Sequence, residues 1–472
     1  MSEVKVNKIS PRTACGTVTL GDSGDTFTIP SGATITNNGT ANGFGATGAV
    51  NWQTGSIKTA ATFTAVAGEG YFVDTSSNAI TANLPAGSAG AIVAFSDYAR
   101  NFNNNNLTIA PDGTEKIGGI AQDLTLDVQG QALTLVYVDG TQGWINVQNA
   151  EDTETGTPPF IVATGGTTSC SGNCRIHTFT GPGTFQVTSI SPTPANNALG
   201  YLIVGGGGSG GDGGTGEAGG GGGAGGFREG RTCAVTPYTV SPLALATGIT
   251  ATVGSFPIVI GGGGGPGLAS GNPAPSPVGN NGIASSALGL TAAGGGFGAG
   301  GGASAGNAGT GGSGGGGNGR CGPGTPGNST GQAGNTPPVS PPQGSTGGNG
   351  QPSPGNRGGG GGGATAVGGN ASACANTGGA GGAGATTVIS GTPTAYAGGG
   401  GGGNQSGSNP NGGTGGTGGG GLGGKNGPVP ARNGSDNTGG GGGGNSCGQN
   451  FPSTGAGGNG GSGVVIIRYK KA

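Results

Sequence analysis

Cys170, Cys174 and His177 stand at a spacing that resembles part of a zinc ligand set. Zinc needs four ligands around one ion, and no second pair of Cys or His follows nearby, so the spacing falls short of a zinc knuckle. A local disulfide or free thiols in a loop accounts for this pair better. The seven cysteines, at 15, 170, 174, 233, 321, 374 and 447, are an odd number and leave the redox compartment undecided. A second pattern begins at Tyr201-Leu202-Ile203-Val204, which runs into Gly205, Gly207 and Gly210. This is a strand followed by G-x-G-x-x-G, the dinucleotide fingerprint. That fingerprint works by opening a helix whose N-terminus meets a pyrophosphate. Here Asp212-Gly213-Gly214-Thr215-Gly216 and further glycine follow, without a helical apolar pattern. In a chain with 127 glycines the match is expected by chance.

The stretch from Gly419 to Lys425 resembles a phosphate loop but places Asn426 where Ser or Thr must hold the metal. His177 is the only histidine, and any Ser-His-Asp arrangement would have to use it. It sits on an alternating strand without a nucleophile elbow, so its reading is structural. Asp74, Asp97 and Asp112 fall at strand ends, where turn chemistry explains them. Paired carboxylates of the glycosidase kind cannot be selected from sequence. No catalytic residue, no cofactor and no metal is therefore expected, and binding is the function class.

The elements that would present a binding surface are organised around Gly205 to Gly463. Glycine comes there in runs of similar length: Gly219 to Gly223, Gly261 to Gly265, Gly358 to Gly363, Gly398 to Gly403 and Gly439 to Gly444. Flexible linker is the ordinary reading of such blocks. Two features oppose it. A glycine chain in the polyproline II form points every N–H and C=O outward and can bond sideways to neighbours on all sides. Runs of five or six residues would be roughly 15 to 19 Å long, enough for one even layer. Disordered tails are normally rich in charge, and only 7% of this chain is charged. No strict Gly-X-Y register persists, which excludes collagen.

The whole chain reads as all-β. Residues 1–45 alternate in short strands, Val18-Thr19-Leu20, Thr26 to Ile29 and Ala33 to Thr36, and suggest a β-shaft or attachment segment that leans on copies of itself. Residues 46–150 carry strands at 70–73, 80–84, 91–95, 107–109, 124–128, 133–138 and 144–147 between turn signals, as a small β-sandwich or barrel does. Residues 151–160 are an acidic, Pro-bearing linker. Residues 161–472 form a second β framework, with strands at 176–179, 184–188, 201–204, 249–253, 257–260, 288–291, 387–389 and 464–469, that anchors both ends of the glycine bundle.

Net charge of -2 gives no case for nucleic acid or an anionic membrane. Hydrophobic residues are 31%, below an ordinary globular share, so self-association is expected. No apolar run reaches transmembrane length, and the N-terminus lacks a secretion signal, so release by lysis is the expected route out of a cell.

Val6-Asn7-Lys8-Ile9-Ser10-Pro11-Arg12, Gly21 to Thr26 and Ile29 to Thr34 resemble the start of tail-fibre proteins of marine tailed bacteriophages. So do Gly70 to Thr75, Val136 to Gly140 and Gly143-Trp144-Ile145. Phe179 to Phe185, Gly225 to Arg228 and Gly461 to Tyr469 resemble the glycine-rich domain of those fibres, similar to phage adhesins with polyglycine II helices. A looser likeness joins them to receptor-kinase glycine-rich domains on a tumour-necrosis-factor-like sandwich. The resemblance implies a homotrimeric virion protein, a tail fibre held by a tail or baseplate protein at its N-terminus. It also implies recognition of a host surface glycan or outer-membrane protein. The loops joining the glycine helices, at 266–281, 320–357, 404–411, 425–437 and 445–451, are where both readings put the contacts. Arg320, Arg357, Lys425, Arg432, Asp436 and Phe451 are the candidate receptor-binding residues. The alternative class is a cellular surface adhesin or filament subunit, and a third is a fibre with depolymerase activity.

Overall fold

The computed structural model describes residues 50–148, 160–213, 217–231, 238–266, 279–301, 307–319, 329–352, 355–372, 376–405, 411–425, 429–446 and 456–471, with isolated residues before 50. The expected shaft and almost all of the linker lie outside the described residues. Among the described residues all regular structure is strand apart from one short 3-10 turn. No helix of the described residues is long and apolar enough to cross a membrane.

The described residues of the N-terminal unit form nine strands: β1 (Asn51–Trp52), β2 (Thr62–Thr64), β3 (Glu69–Val73), β4 (Ile80–Asn83), β5 (Ile92–Asp97), β6 (Leu107–Ala110), β7 (Leu124–Leu126), β8 (Ala132–Asp139) and β9 (Gly143–Asn146). They form two sheets, β1-β3-β5-β8-β9 and β2-β4-β6-β7. From β1 to β6 the chain alternates between sheets, and each strand pairs in parallel with the one two before it. The first six strands thus wind as a two-sheet coil. β7 and β8 then turn back and add antiparallel to β6 and β5.

Alternation puts Tyr71, Val73, Phe95, Leu107, Ile109, Leu133, Leu135 and Trp144 into one core between the sheets. The expected pair of packed sheets is present without barrel closure. Asp97 ends β5 and accepts N–H bonds from Asn101, Phe102 and Gly130, at 3.0, 3.2 and 2.8 Å, so it pins two loops.

The second unit contains β10 (Val162–Thr164), β11 (Thr167–Ser171), β12 (Cys174–Phe179), β13 (Gly183–Ser189), β14 (Ala198–Val204), β15 (Phe227–Gly230), β16 (Ile249–Thr250), β17 (Gly254–Ile258), β18 (Ser285–Ala287), β19 (Leu290–Ala292), β20 (Ala385–Thr387), β21 (Thr394–Tyr396) and β22 (Val464–Lys470). One sheet runs β11-β12-β22-β14-β15, with β16 added on β14, and the facing sheet is β10-β13-β17. Phe185, Val187, Tyr201, Ile203, Val465 and Ile467 fill the space between them. The outer face of β14 and β22 is covered too, by Phe227, Ile389 and Tyr396 among others. Burial on both faces explains why 201–204 and 464–467 read as unbroken apolar runs. Of the expected strand at Leu288 to Thr291, Leu290 and Thr291 lie in β19, whereas Leu288 and Gly289 form the turn of the β18–β19 hairpin. Leu288 and Gly289 there have φ of 54° and 76° and leave only Leu290 onward extended.

β14 and β22 are antiparallel neighbours whose last pair is Val204↔Val464. The glycine insertion therefore leaves and re-enters the frame side by side. Its segments bond with a period of three. Gly205, Gly208 and Gly211 donate N–H to Gly226, Gly223 and Gly220, whereas Gly207 and Gly210 donate to Gly461 and Gly458, and Gly206 and Ser209 to Ile283 and Asn280. A chain that turns a third of a circle per residue, as polyproline II does, addresses three neighbours in rotation. The descending partner numbers mark those neighbours as antiparallel. A neighbour running the same way also occurs: Gly221 and Ala224 donate to Gly359 and Gly362. The packing requires glycine, since a Cβ built on Gly361 falls 1.9 Å from the oxygen of Gly222.

Candidate functional site

The bundle has a frame end, where Gly205, Gly226 and Gly463 meet the strands, and an opposite end, where the lattice stops. At that far end isolated bridges tie neighbouring segments together: Ala218 to Gly319 and Ser446, Arg357 to Gln351 and Asn404, and Asn404 to Lys425. A lattice of backbone bonds runs out of partners at its last layer, and side-chain amides take their place. Asn404 Nδ2 donates to the carbonyls of Asn376 and Asn411, at 2.7 and 3.1 Å. Asn318 Nδ2 donates to Gly300 at 2.6 Å. Asn318, Asn404 and Asn445 are all buried, and each stands directly after a glycine run. The polar residue that ends a run was the available signal for this layer. A search for exposed charge passes over it.

The candidate residues separate. Arg357 is buried at the far end and holds three strands of chain together. Its Nη1 donates to Gln351 Oε1 at 3.1 Å and to the Ser372 carbonyl at 3.0 Å, and its Nη2 donates to Asn376 Oδ1. Its role is to fix that end. Lys425 lies in the same layer, half-buried beside Asn404. Arg432 sits within a glycine-type segment, with its N–H on Leu422 and its carbonyl taking Gly443. Asp436 is at the frame end, where its Oδ1 accepts the Ser462 N–H at 3.2 Å. Arg320 and Phe451 lie outside the described residues. Of the six, the structure brings Arg357 and Lys425 to one end and sends Asp436 to the other.

His177 is buried between the sheets, where its Nδ1–H donates to the Gly165 carbonyl at 2.6 Å and its Nε2 accepts the Tyr469 hydroxyl at 3.0 Å. Tyr469 stacks on its ring. Burial holds its pKa below the usual 6.5. Both nitrogens are spent on structure. Glu229, a buried residue of β15, accepts from Thr387 Oγ1 at 2.6 Å, Ser241 N–H at 3.0 Å and the Tyr238 hydroxyl at 3.2 Å. Arg468 lies 4.9 Å over the Tyr238 ring. These groups stitch the hairpin β20–β21 onto the sheet. Cys170 is exposed and Cys174 buried, and the other five cysteines lie outside the described residues. Among the described residues no group of three His, Cys, Asp or Glu could hold a metal ion. Gly205 to Gly210, the apparent dinucleotide fingerprint, opens no helix and spends its N–H groups on neighbouring segments.

Residues 178–470 match the family described as "Glycine-rich domain". No curated protein matches the chain significantly.

Proposed function

The chain belongs to the glycine-rich domain family, and from that premise we propose that it is a structural virion protein, a tail-fibre adhesin that attaches a phage to its host. One observation carries the reading. The bundle enters and leaves the frame at Val204↔Val464, so the segment ends on the other side, among them Asn318, Asn404 and Lys425, are held by a backbone-bonded body. Loops on a rigid scaffold are where recognition residues can vary without cost to the fold. In this reading Lys425 borders the contact surface and Arg357 braces it, and the protein acts as a homotrimer with its N-terminal segment toward the tail.

Purified protein should block adsorption of the parent phage to host cells, and a Lys425→Glu variant that folds should block it less. Light scattering separates the alternative class. A discrete mass near three times the 43.5 kDa protomer supports the fibre. An open-ended size distribution favours a filament subunit, and a monomer removes the trimer.

A further inference from the structure

The two outer faces of the N-terminal sandwich differ in kind. In the sheet β2-β4-β6-β7, Ile80, Leu107 and Leu124 point into the core, and their neighbours in sequence point out. Those outward positions align as one hydroxyl row, Thr62↔Thr81↔Thr108↔Thr125. In the sheet β1-β3-β5-β8-β9, Tyr71, Phe95 and Leu133 point in. Its central outward row is Trp52↔Gly70↔Ala94↔Thr134, and Val147 extends it by bonding its N–H to the Thr134 carbonyl. On either side run Phe72↔Ser96↔Ala132 and Ile92↔Val136↔Ile145. None of these side chains is charged.

The Trp52 indole covers Gly70, where a Cβ would meet it at 2.8 Å. Its ring stands 4.9 Å from Phe72, and Phe72 stands 6.5 Å from Tyr98, centroid to centroid. Trp52 is 37% exposed, and Tyr98 and Val147 are each 57% exposed. A sheet with one solvated face alternates apolar-in and polar-out, as the threonine sheet does. A contiguous apolar outer face instead marks an interaction surface.

Two observations identify what covers it. A partner that brought charge onto this face would bury that charge with nothing to pair it, so the partner surface is itself uncharged and apolar. The same face of another copy meets that condition, and symmetric assembly brings like faces to one axis. The second observation is connectivity. Val50 stands on this face with Trp52, since a Cβ at Gly70 would also meet Val50 Cγ2 at 2.7 Å. The sequence before Val50 reads as a segment that leans on copies of itself, so copies joined there bring their β1 strands, and this face, together.

We propose that the outer face of β1-β3-β5-β8-β9 is the surface through which copies of this chain pack. The inference deepens the homotrimer of the adhesin reading and rests on it. Trp52, Phe72 and Tyr98 are the anchors, aromatic residues being the side chains that dominate such contacts, and the threonine sheet faces solvent.

The test is light scattering of the full chain over a dilution series, with substitutions at side chains already open to solvent. Wild type should give the oligomer mass. Tyr98→Lys combined with Val147→Lys should give the 43.5 kDa protomer, a threefold fall for a trimer. Thr125→Lys, on the opposite face, should keep the oligomer. If the double variant does not fold, tryptophan emission of the wild type decides. The chain has two tryptophans and Trp144 is fully buried, so a red shift on dilution to the protomer reports Trp52. An oligomer that the double variant leaves whole, or whose dissociation leaves the emission unmoved, overturns the proposal, gives the face to another occupant and leaves the trimer standing. A wild type that is monomeric at every concentration overturns the trimer and the proposal with it.

Discussion

In the N-terminal coil Phe95 and Trp144 are fully buried, and the interior is made of side chains that alternate inward from two sheets. In the glycine bundle Gly222, Gly361 and Gly400 are equally buried, and the interior is made of main chain. The first interior tolerates swaps of similar volume because side chains can repack. The second has no such freedom. Its spacing is set by N–H to C=O contacts, and any added atom separates whole rows. The bundle thereby supplies rigidity where the composition supplies few apolar side chains.

The sharpest break in that comparison is Gly361→Ala. Its methyl would push against Gly222 and part the bonds from Gly400 to Gly222, Gly221 to Gly359 and Ala224 to Gly362. Three buried backbone bonds at about 1–3 kcal/mol each put the loss at about 3–9 kcal/mol. Calorimetry should show the second unit unfolding early while the N-terminal unit keeps its midpoint. Phe95→Ala should do the reverse, at about 3–5 kcal/mol for a large core truncation. If either change moved both units equally, the two interiors would not be separate.

A smaller effect distinguishes the frame from the bundle by pH. His177 is neutral when folded, so the unfolded chain takes up a proton first as pH falls below 6.5. Frame stability is complete above that value and declines below it. Asp212 works oppositely. Its folded carboxyl titrates near 6 against an ordinary 3.8, so the cost of its buried charge is present above about 6 and is relieved as pH falls toward 3.8. Asp212→Asn should therefore deepen the acid loss of stability, followed by circular dichroism, relative to wild type. The smallest effect belongs to Gly262→Ala, whose methyl meets only Ile283 Cδ1 at 3.9 Å. Its midpoint should stay the same or rise by up to about 1 kcal/mol through a stiffer unfolded chain.

Much of this was legible from residue pattern. The seven expected strands between 70 and 147 correspond to β3 through β9, because one-sided burial imposes period two. Their parallel winding was not, since alternation fixes a strand's face and says nothing about the direction of its neighbour. β1 and β2 escaped because Asn51–Trp52 and Thr62–Thr64 are short and mostly exposed. The frame strands β14 and β22 stood out as apolar runs, and matched run lengths announced the layer. The candidate site was less legible. Arg357 was chosen for its charge, yet that charge is consumed internally. Asp436 was grouped with Lys425 by proximity in sequence, though Arg432 and Gly434 lie between them in a segment that bonds into the bundle and reaches the other end.

The pairing of Val204 with Val464 also constrains how such a protein can change in length. A path that departs and returns on the same side must cross the layer an even number of times. Losing one crossing would deliver the final strand to the wrong side, out of reach of β12 and β14. Losing or duplicating two consecutive crossings would keep parity and leave the frame intact. Growth of the layer by recombination is thereby quantised in up-and-down pairs, each of which adds one new turn to the far side.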